Sequence, residues 1–365
     1  MPAVYFSYPF CAQKCTFCNF ASSVYSQAHQ RRYDAALVKE LQNYDWTWDP
    51  QTVYWGGGTP SLMPLDCFVD LMSRVPRHRL TETTMECAPG TIDPQKVAVW
   101  RECGVNRVSL GVQSFVSDEL HRTGRRHTAE VVEHDIQMLR QAGIENVNID
   151  LIAGLPGQTL SSWRLSLDIL ARLDPPHVSV YLFEIDEDSS LGREALTGGA
   201  RYGAALLPSE DAMADMYEQG VEFLAGIGLR RYEISNFARP GFESVHNLKY
   251  WRLAPYVGFG LDAHSFDRNM RWGNHDDLET YLRCIESGEN PRMTYEPADH
   301  EQEHFFVGLR EISGIKPTAH EWQRFAAPIE RALESGLLVN EGCVLRLTNQ
   351  GVLLSNEVLQ EFVNV

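Results

Sequence analysis

The stretch CAQKCTFC, Cys11–Cys18, places three thiols within eight residues, directly after the first predicted strand of the chain. An odd number of cysteines cannot pair fully as disulfides, and a tetrahedral zinc site needs a fourth ligand, which is not nearby. Three thiolates at the spacing CxxxCxxC can ligate three irons of a [4Fe-4S] cluster and leave the fourth iron open. The spacing favours a cluster on Cys11, Cys15 and Cys18 over three buried thiols, a redox pair or zinc.

Composition limits the classes of protein to consider. The 365 residues include 49 acidic and 32 basic side chains, a formal net charge of -17, which argues against a nucleic-acid partner and an anionic membrane surface. No apolar run approaches the ~20 residues of a membrane span, and MPAVYFSYPF (1–10) has no basic leader. We therefore expect a cytoplasmic protein without stable membrane insertion. The remaining cysteines are expected to be buried, reduced thiols: Cys67, Cys87, Cys103, Cys284 and Cys343.

Six short β-branched or aromatic runs alternate with helix-like stretches in the first half of the chain. They are VYFSYP (4–9), TVYWGGG (52–58), TTMECAP (83–89), RVSLGVQ (107–113), NVNIDLIAG (146–154) and HVSVYLFEI (177–185). Six βα units in succession predict a parallel sheet with right-handed crossovers. Six units suit an open or partial barrel rather than a closed eight-fold one. A doubly wound sheet is the alternative, which periodicity alone does not exclude.

The rest of the chain predicts two further parts after the barrel at 1–230. Residues 231–290 form an aromatic-rich connecting segment that contains HNLKYW, and residues 291–365 read as helices with two short strands. That order predicts an α+β, winged-helix-like C-terminal domain. Acidic residues outnumber basic ones in this domain, so a packing or partner role is favoured over nucleic-acid binding.

Several residues at predicted strand ends indicate a ligand site. The glycine triplet Gly56–Gly58 would let backbone groups approach a ligand closely, although a triplet alone also fits a plain turn. Glu86, Gln113 and Asp150 interrupt apolar strands, where a ligand or a core hydrogen bond must offset the cost of burial. The carboxyl ends of parallel strands are the usual place for barrel chemistry. Arg125 in TGRRH could hold a carboxylate, or lie free on a loop.

Taken in order, six segments resemble the radical S-adenosylmethionine (SAM) family of oxygen-independent coproporphyrinogen III oxidase-like proteins. The segments are YFSYPFCAQKCTFCNF, WGGGTPSL, RVSLGVQSF, NIDLIAGLPGQT, YEISNFARPG and HNLKYW. The resemblance implies a partial (β/α)6 TIM-like radical SAM barrel, closed over its mouth by the C-terminal domain. It implies that a [4Fe-4S] cluster is bound by Cys11, Cys15 and Cys18. It implies that SAM lies against Tyr5, Gly57, Gly58, Thr59, Glu86, Gln113, Arg125 and Asp150.

Two branches of that family differ at the cysteine motif. The oxidase branch continues to a further cysteine where this chain has Phe20, and it has more residues ahead of the motif than the ten that precede Cys11. Both features favour the heme chaperone branch, the HemW type. His246 and Tyr250 resemble the heme-binding motif of that branch. Histidine and tyrosine are competent heme ligands, and the i, i+4 spacing places them on one helical face. A packing segment with one hydrogen-bonded histidine is the alternative.

The resemblance implies a protein that binds heme and delivers it to apo-heme-protein clients. It also implies an electron donor for the cluster. A homodimer is a further expectation. The alternative is an anaerobic coproporphyrinogen III dehydrogenase that makes protoporphyrinogen IX by radical oxidative decarboxylation. A radical SAM enzyme that alters the heme ring is a third hypothesis. Sequence alone leaves open whether SAM is cleaved productively, and therefore whether the protein is an enzyme.

Overall fold

The computed structural model describes residues 2–363 of the chain. All six predicted strands of the first half are confirmed to within three residues. They are β1 (Ala3–Tyr8), β2 (Thr52–Gly57), β3 (Glu82–Cys87), β4 (Arg107–Gln113), β5 (Asn146–Ala153) and β6 (His177–Leu182). The helices among them are α1 (Gln27–Gln42), α2 (Leu65–Arg74), α3 (Pro94–Glu102), α4 (Ser117–Arg122), α5 (Ala129–Gln141) and α6 (Leu160–Leu173), with a short 3-10 turn at Pro60–Leu62.

Local sequence sets where these helices begin. The Asp93 side chain caps α3 by accepting the backbone N–H of Lys96, and Pro94 occupies the first turn, where no N–H is needed. Thr159 and Ser162 form a reciprocal capping box at the start of α6. Polar caps of this kind satisfy the backbone donors that a helix leaves free at its first turn, so each crossover starts at a defined residue.

Strands β1 to β6 lie side by side in chain order, and each is parallel to the next. A doubly wound sheet would reverse its strand order at a switch point, so that alternative is excluded. All six strands run in the same direction, so their carboxyl ends share one side of the sheet, called the mouth from here on. Their amino ends share the opposite side, called the floor.

Strands from the second half extend both edges of this sheet. They are β7 (Arg230–Arg231), β8 (Asn236–Ala238), β9 (Tyr256–Phe259), β10 (His264–Phe266), β11 (Met270–Asn274) and β12 (Arg292–Pro297). β8 runs antiparallel to β6, and β9 runs parallel to β1. The order β12-β11-β10-β9-β1-β2-β3-β4-β5-β6-β8-β7 leaves β12 and β7 as two separate edges, so the sheet is an open, partial barrel.

Further helices cover this part of the chain: α7 (Ser190–Leu196), α8 (Glu210–Gly226), α9 (Val245–Trp251) and α10 (Leu278–Ser287), with a 3-10 segment at Arg201–Leu206. The C-terminal part contains α11 (His300–Phe306), a 3-10 turn at Gly308–Arg310, α12 (Ala319–Arg324), α13 (Ala326–Glu334), β13 (Leu338–Glu341), β14 (Val344–Leu347), α14 (Asn349–Leu353) and α15 (Ser355–Gln360). β13 and β14 form an antiparallel hairpin. The rings of Phe305, Phe325 and Phe362 pack within this part and give it an aromatic core. The predicted α+β order is confirmed.

The five cysteines that follow Cys18 differ in their burial. Cys87, Cys103 and Cys284 are buried as predicted, whereas Cys67 is half-buried and Cys343 is exposed, so the prediction was wrong for Cys343. Cys343 follows Gly342 in the turn between β13 and β14, a two-residue turn that leaves little surface to cover it.

None of the helices within residues 2–363 combines the length and apolar character that crossing a membrane requires.

Candidate cluster and cofactor site

The cysteine loop, residues 9–25, joins β1 to α1 at the mouth of the barrel. Backbone hydrogen bonds hold the two ends of the loop together: Cys11 N–H donates to Ser23 O at 3.0 Å, and Ser23 N–H donates to Pro9 O at 2.9 Å. Cys18 N–H donates to Cys15 O at 3.2 Å, which turns the chain between these two thiols. All three cysteines are half-buried free thiols.

The three thiols line one cavity of about 550 Å³ at the mouth. Among the residues that the structure describes, no three His, Cys, Asp or Glu side chains converge on a single metal-ion position. A four-iron cluster needs no such convergence, because each thiolate binds a different iron. The shared cavity and the spacing therefore fit a cluster.

Thr59 connects the cysteine loop to the turn that follows β2. Its hydroxyl donates to Cys11 Sγ at 3.7 Å, and its backbone N–H donates to Phe10 O at 2.9 Å. Burial raises the pKa of the Cys11 thiol, and hydrogen bonds from Thr59 and Ser22 oppose that rise. Ligation requires the thiolate, so the positive charge of bound iron must offset the cost of burying it.

Glycines allow the turn after β2 to approach the cysteine loop. Gly57 has a left-handed φ of 103°, which disfavours other residues. A Cβ on Gly58 would lie 2.8 Å from Pro9 C and 3.0 Å from Cys11 Sγ, closer than carbon can approach. Position 58 therefore requires glycine for the cysteine loop to keep this conformation.

Two carboxyl groups, on β3 and β5, face the same cavity. Burial raises the pKa of Glu86 to about 7, although Tyr54 Oη donates to Glu86 Oε1 at 2.6 Å and stabilises the ionised form. Burial also raises the pKa of Asp150, whose oxygens accept from Asn148 Nδ2 at 2.7 Å and Ser109 Oγ at 3.2 Å. A cationic ligand in the cavity would offset the cost of ionising both groups.

The far wall of the cavity holds a polar atom without a partner. Gln113 is 9% exposed, has a left-handed φ of 70°, and its Oε1 is buried without a hydrogen bond. Such an orphan acceptor calls for a donor that the protein itself does not supply. The guanidinium of Arg125 donates to Gly111 O. His127 lines the same wall, and burial beside Arg125 lowers its pKa to about 4, so its imidazole is neutral near pH 7.

The structure brings together most of the residues that the sequence predicts for SAM. The residues that line the cavity are Gly57, Gly58, Thr59, Glu86, Gln113, Arg125 and Asp150. Tyr5 lies apart from them, with its ring stacked on Tyr54 at a centroid distance of 6.1 Å. Sequence reasoning missed His127 and Tyr181, which also line the cavity. Their positions carried a usable signal, since His127 follows Arg125 closely and Tyr181 lies near the carboxyl end of β6.

Helix α9, which contains the HNLKYW segment, lies at the floor, opposite the cysteines. The carboxylate of Glu82, the first residue of β3, accepts the backbone N–H groups of Val245 at 3.0 Å and His246 at 2.9 Å. Lys249 Nζ donates to Gln51 Oε1 at 2.6 Å, immediately before β2. Strand β2 rises ~17 Å between these contacts and the glycine turn. The two motifs therefore occupy opposite ends of one barrel.

His246 is fully buried, and both of its ring nitrogens have partners. Nδ1 lies 2.9 Å from Thr52 Oγ1, and Nε2 lies 2.7 Å from Tyr250 Oη. Burial lowers the pKa of His246 to about 3, so the ring is neutral, with one donor and one acceptor nitrogen. In this conformation neither nitrogen is available to iron, and ligation requires Tyr250 to release Nε2.

The open barrel, the cysteine loop and the strand-end polar residues define a radical SAM protein, and residues 5–170 match the Radical SAM superfamily. A radical SAM protein carries a [4Fe-4S] cluster and binds SAM. Over its length the chain is similar to proteins named heme chaperone HemW. The protein from Bacillus subtilis is 34% identical, with 100% of this chain and 99% of that protein covered. The protein from Lactococcus lactis is 32% identical, with 99% and 97% covered. The chain belongs to the HemW family.

A solved structure shares the fold. It is coproporphyrinogen III oxidase (HemN) from Escherichia coli, a radical SAM enzyme, which superposes with a TM-score of 0.84 at 23% sequence identity. The match covers 100% of this chain and 90% of that chain. The partial-barrel fold with its C-terminal part is thereby confirmed.

Proposed function

We propose that this protein is a heme chaperone, which binds heme and delivers it to apo-heme proteins. The observation that carries the proposal is the end-to-end similarity to proteins named heme chaperone HemW. Phe20 agrees with it, because a phenylalanine occupies the position where the oxidase branch continues its cysteine motif. Phe20 is 64% exposed and lines the mouth cavity, so it places an apolar ring there instead of a thiol.

The residues that line the mouth cavity have different roles in this proposal. Cys11, Cys15 and Cys18 hold the cluster, which supplies electrons of low potential. The backbone of Gly57 and Gly58 lies against SAM. The carboxylates of Glu86 and Asp150 offset its positive charges, while Gln113 Oε1 accepts a hydrogen bond from it. Thr59 and Arg125 complete the wall, and Tyr5 supports it from beneath through Tyr54. The fit rests on the shared cavity, the two carboxyl groups of raised pKa and the unpartnered Gln113 oxygen.

His246 and Tyr250 are the proposed heme ligands. Because Tyr250 occupies His246 Nε2 and the ring is fully buried, ligation occurs only after α9 has moved from the floor. The contacts to be broken include the Glu82 cap, the Lys249–Gln51 hydrogen bond and the Thr52 contact. Heme binding at this segment is thus coupled to opening the floor of the barrel.

Further elements of the proposal concern partners and location. We place the protein in the cytoplasm, where three cluster thiols stay reduced. Its partners are apo-heme-protein clients and an electron donor for the cluster, and two copies associate as a homodimer. Mass photometry with and without the reconstituted cluster tests the dimer, which one-copy particles under both conditions would exclude.

The shared fold with the oxidase HemN makes coproporphyrinogen dehydrogenation the second candidate function. The experiment is an anaerobic assay of the cluster-loaded protein with a low-potential reductant, SAM and coproporphyrinogen III. We expect no protoporphyrin after the products are oxidised and separated. SAM-dependent protoporphyrin that disappears in Cys15→Ala but persists in Cys343→Ala, which alters an exposed cysteine, would establish the oxidase instead.

A further inference from the structure

A second cavity, of about 470 Å³, lies between β6 and the last two helices, α14 and α15. Its volume falls within the range of about 300 to 1,000 Å³ that is usual for cofactor sites. It shares Phe17, Phe20, Ile152 and Tyr181 with the mouth cavity, so the two cavities adjoin each other. The mechanism outlined above uses only the first of them.

Apolar side chains form part of the wall of this cavity, and some of them are incompletely covered. Ile152, Val180 and Phe183 contribute from the ends of β5 and β6, and Leu353 contributes from α14. Two aromatic side chains at the boundary are open to solvent, Phe20 at 64% and Tyr181 at 42% exposed. Exposed aromatic rings at the edge of an apolar cavity indicate a surface that is covered by a ligand.

One cation faces this cavity. Arg310 lines it, and its Nε is buried without a hydrogen-bond partner. Its guanidinium packs over the ring of Trp251 at 4.7 Å. Burial raises the pKa of the Glu233 carboxyl, and the charge of Arg310 opposes that rise. The carboxylates of the cavity are already engaged, since Glu184 accepts from Asn356 at 3.1 Å and Asp186 accepts from Asn19 at 2.6 Å. The unpartnered Nε of this half-buried guanidinium is a charged donor available to an anionic ligand.

We propose that this cavity receives the tetrapyrrole, with its flat face against Phe20 and Tyr181 and one propionate on Arg310. The inference rests on the proposed heme function and gives it a specific site. Apolar and aromatic side chains on part of the wall, with a guanidinium beside them, match a large aromatic ring with carboxylates at one edge. Trp251, the last residue of HNLKYW, is in contact with Arg310. Cavity and floor helix are therefore joined, and heme in this cavity lies beside the helix that must open for His246.

Titration with hemin and with its dimethyl ester, which lacks free carboxylates, tests the site in the cluster-loaded protein. We expect the wild type to bind hemin about tenfold more tightly than the ester, as a partly buried charged hydrogen bond would give. Arg310→Met should bind both equally. Arg164→Met is the matched control, because Arg164 also packs over an aromatic ring, Phe223 at 4.8 Å, and ion-pairs with Asp168 on the surface. It should keep the preference.

A second variant covers the case in which Arg310→Met does not fold. Tyr181→Ala should lose affinity for hemin and ester to the same degree, since it removes ring contact and no charge. An undiminished preference for hemin in folded Arg310→Met, or full affinity for both ligands in Tyr181→Ala, would overturn the assignment of this cavity. Failure of the wild type to bind hemin at all would instead refute the proposed heme function.

Discussion

Tyr54 and Glu86 are joined by a 2.6 Å hydrogen bond in which the tyrosine hydroxyl donates to the carboxylate. The same tyrosine ring packs on the imidazole of His246 at a centroid distance of 4.9 Å. Tyr54 therefore contacts a carboxylate of the mouth cavity and the histidine of the floor helix at once. It is a direct physical contact between the two proposed ligand sites.

Tyr54→Phe removes the hydrogen bond and keeps the ring. The bond stabilises the ionised carboxylate, so its loss should raise the pKa of Glu86 above its present value of about 7. Because the ionised carboxylate is the form that attracts SAM, wild-type SAM affinity should fall as the pH drops through about 7. The midpoint should lie at higher pH in the variant. Calorimetric titration with SAM over a pH series measures both midpoints, and coincident midpoints would show that Glu86 does not control SAM binding.

Glu86→Gln separates folding stability from ligand binding. The folded-state pKa of Glu86 is raised from 4.5 to about 7, so the native state holds its proton more tightly than the unfolded state. Its contribution to stability is full below pH 4.5 and is lost as the pH rises through about 7. Glutamine does not ionise, and the variant should gain about 3 kcal/mol relative to the wild type above that window, since each pKa unit corresponds to about 1.4 kcal/mol.

Denaturant unfolding of both proteins at acidic and at alkaline pH measures this difference. The variant should also bind SAM more weakly, because the carboxylate is gone. A free energy of unfolding that differs from the wild type by the same amount at both pH values would contradict the buried-charge explanation.

Gly58→Ala tests the contact between the glycine turn and the cysteine loop. The added Cβ would lie 3.0 Å from Cys11 Sγ and closer still to the backbone of Pro9, so the loop must shift. We expect lower iron content after reconstitution and a loss of about 1–3 kcal/mol of stability. Gly226→Ala is the control, since nothing lies within 4 Å of a Cβ at that position in α8. Equal iron content in the two variants would refute the steric account.

The sequence predicts the mouth of this barrel far better than its floor. Strand periodicity and the cysteine spacing locate Cys11, Gly58, Glu86 and Asp150 because each lies in the carboxyl-terminal half of a strand or just after it, where chain direction fixes its neighbourhood. The position of α9 depends on Glu82, 164 residues away from His246 along the chain. No local pattern encodes a pairing of that separation. The position of Tyr5 beneath the cavity likewise depends on packing against Tyr54 of the next strand.

His246→Ala should weaken heme binding and leave the cluster absorption intact, because the floor and the cysteines lie at opposite ends of the barrel. The deletion also removes buried contacts, so Thr52→Ala serves as the control: it breaks the Nδ1 contact but keeps the imidazole. That control should lose stability and retain heme affinity. Absorption titration with hemin and thermal unfolding report the two properties separately. Unchanged heme affinity in His246→Ala would exclude this histidine as a ligand.

The measurement that tests the account most directly is heme transfer. The cluster-loaded protein is saturated with heme, freed of excess ligand and mixed with an apo-heme protein, and the absorption spectrum of the acceptor is followed. We predict that the acceptor gains heme and that the donor loses it in equal amount. The transfer rate should exceed the rate at which the same acceptor takes heme from a reference protein of another class. Heme that stays on the donor, or transfer no faster than spontaneous dissociation from that reference protein, would contradict a chaperone function.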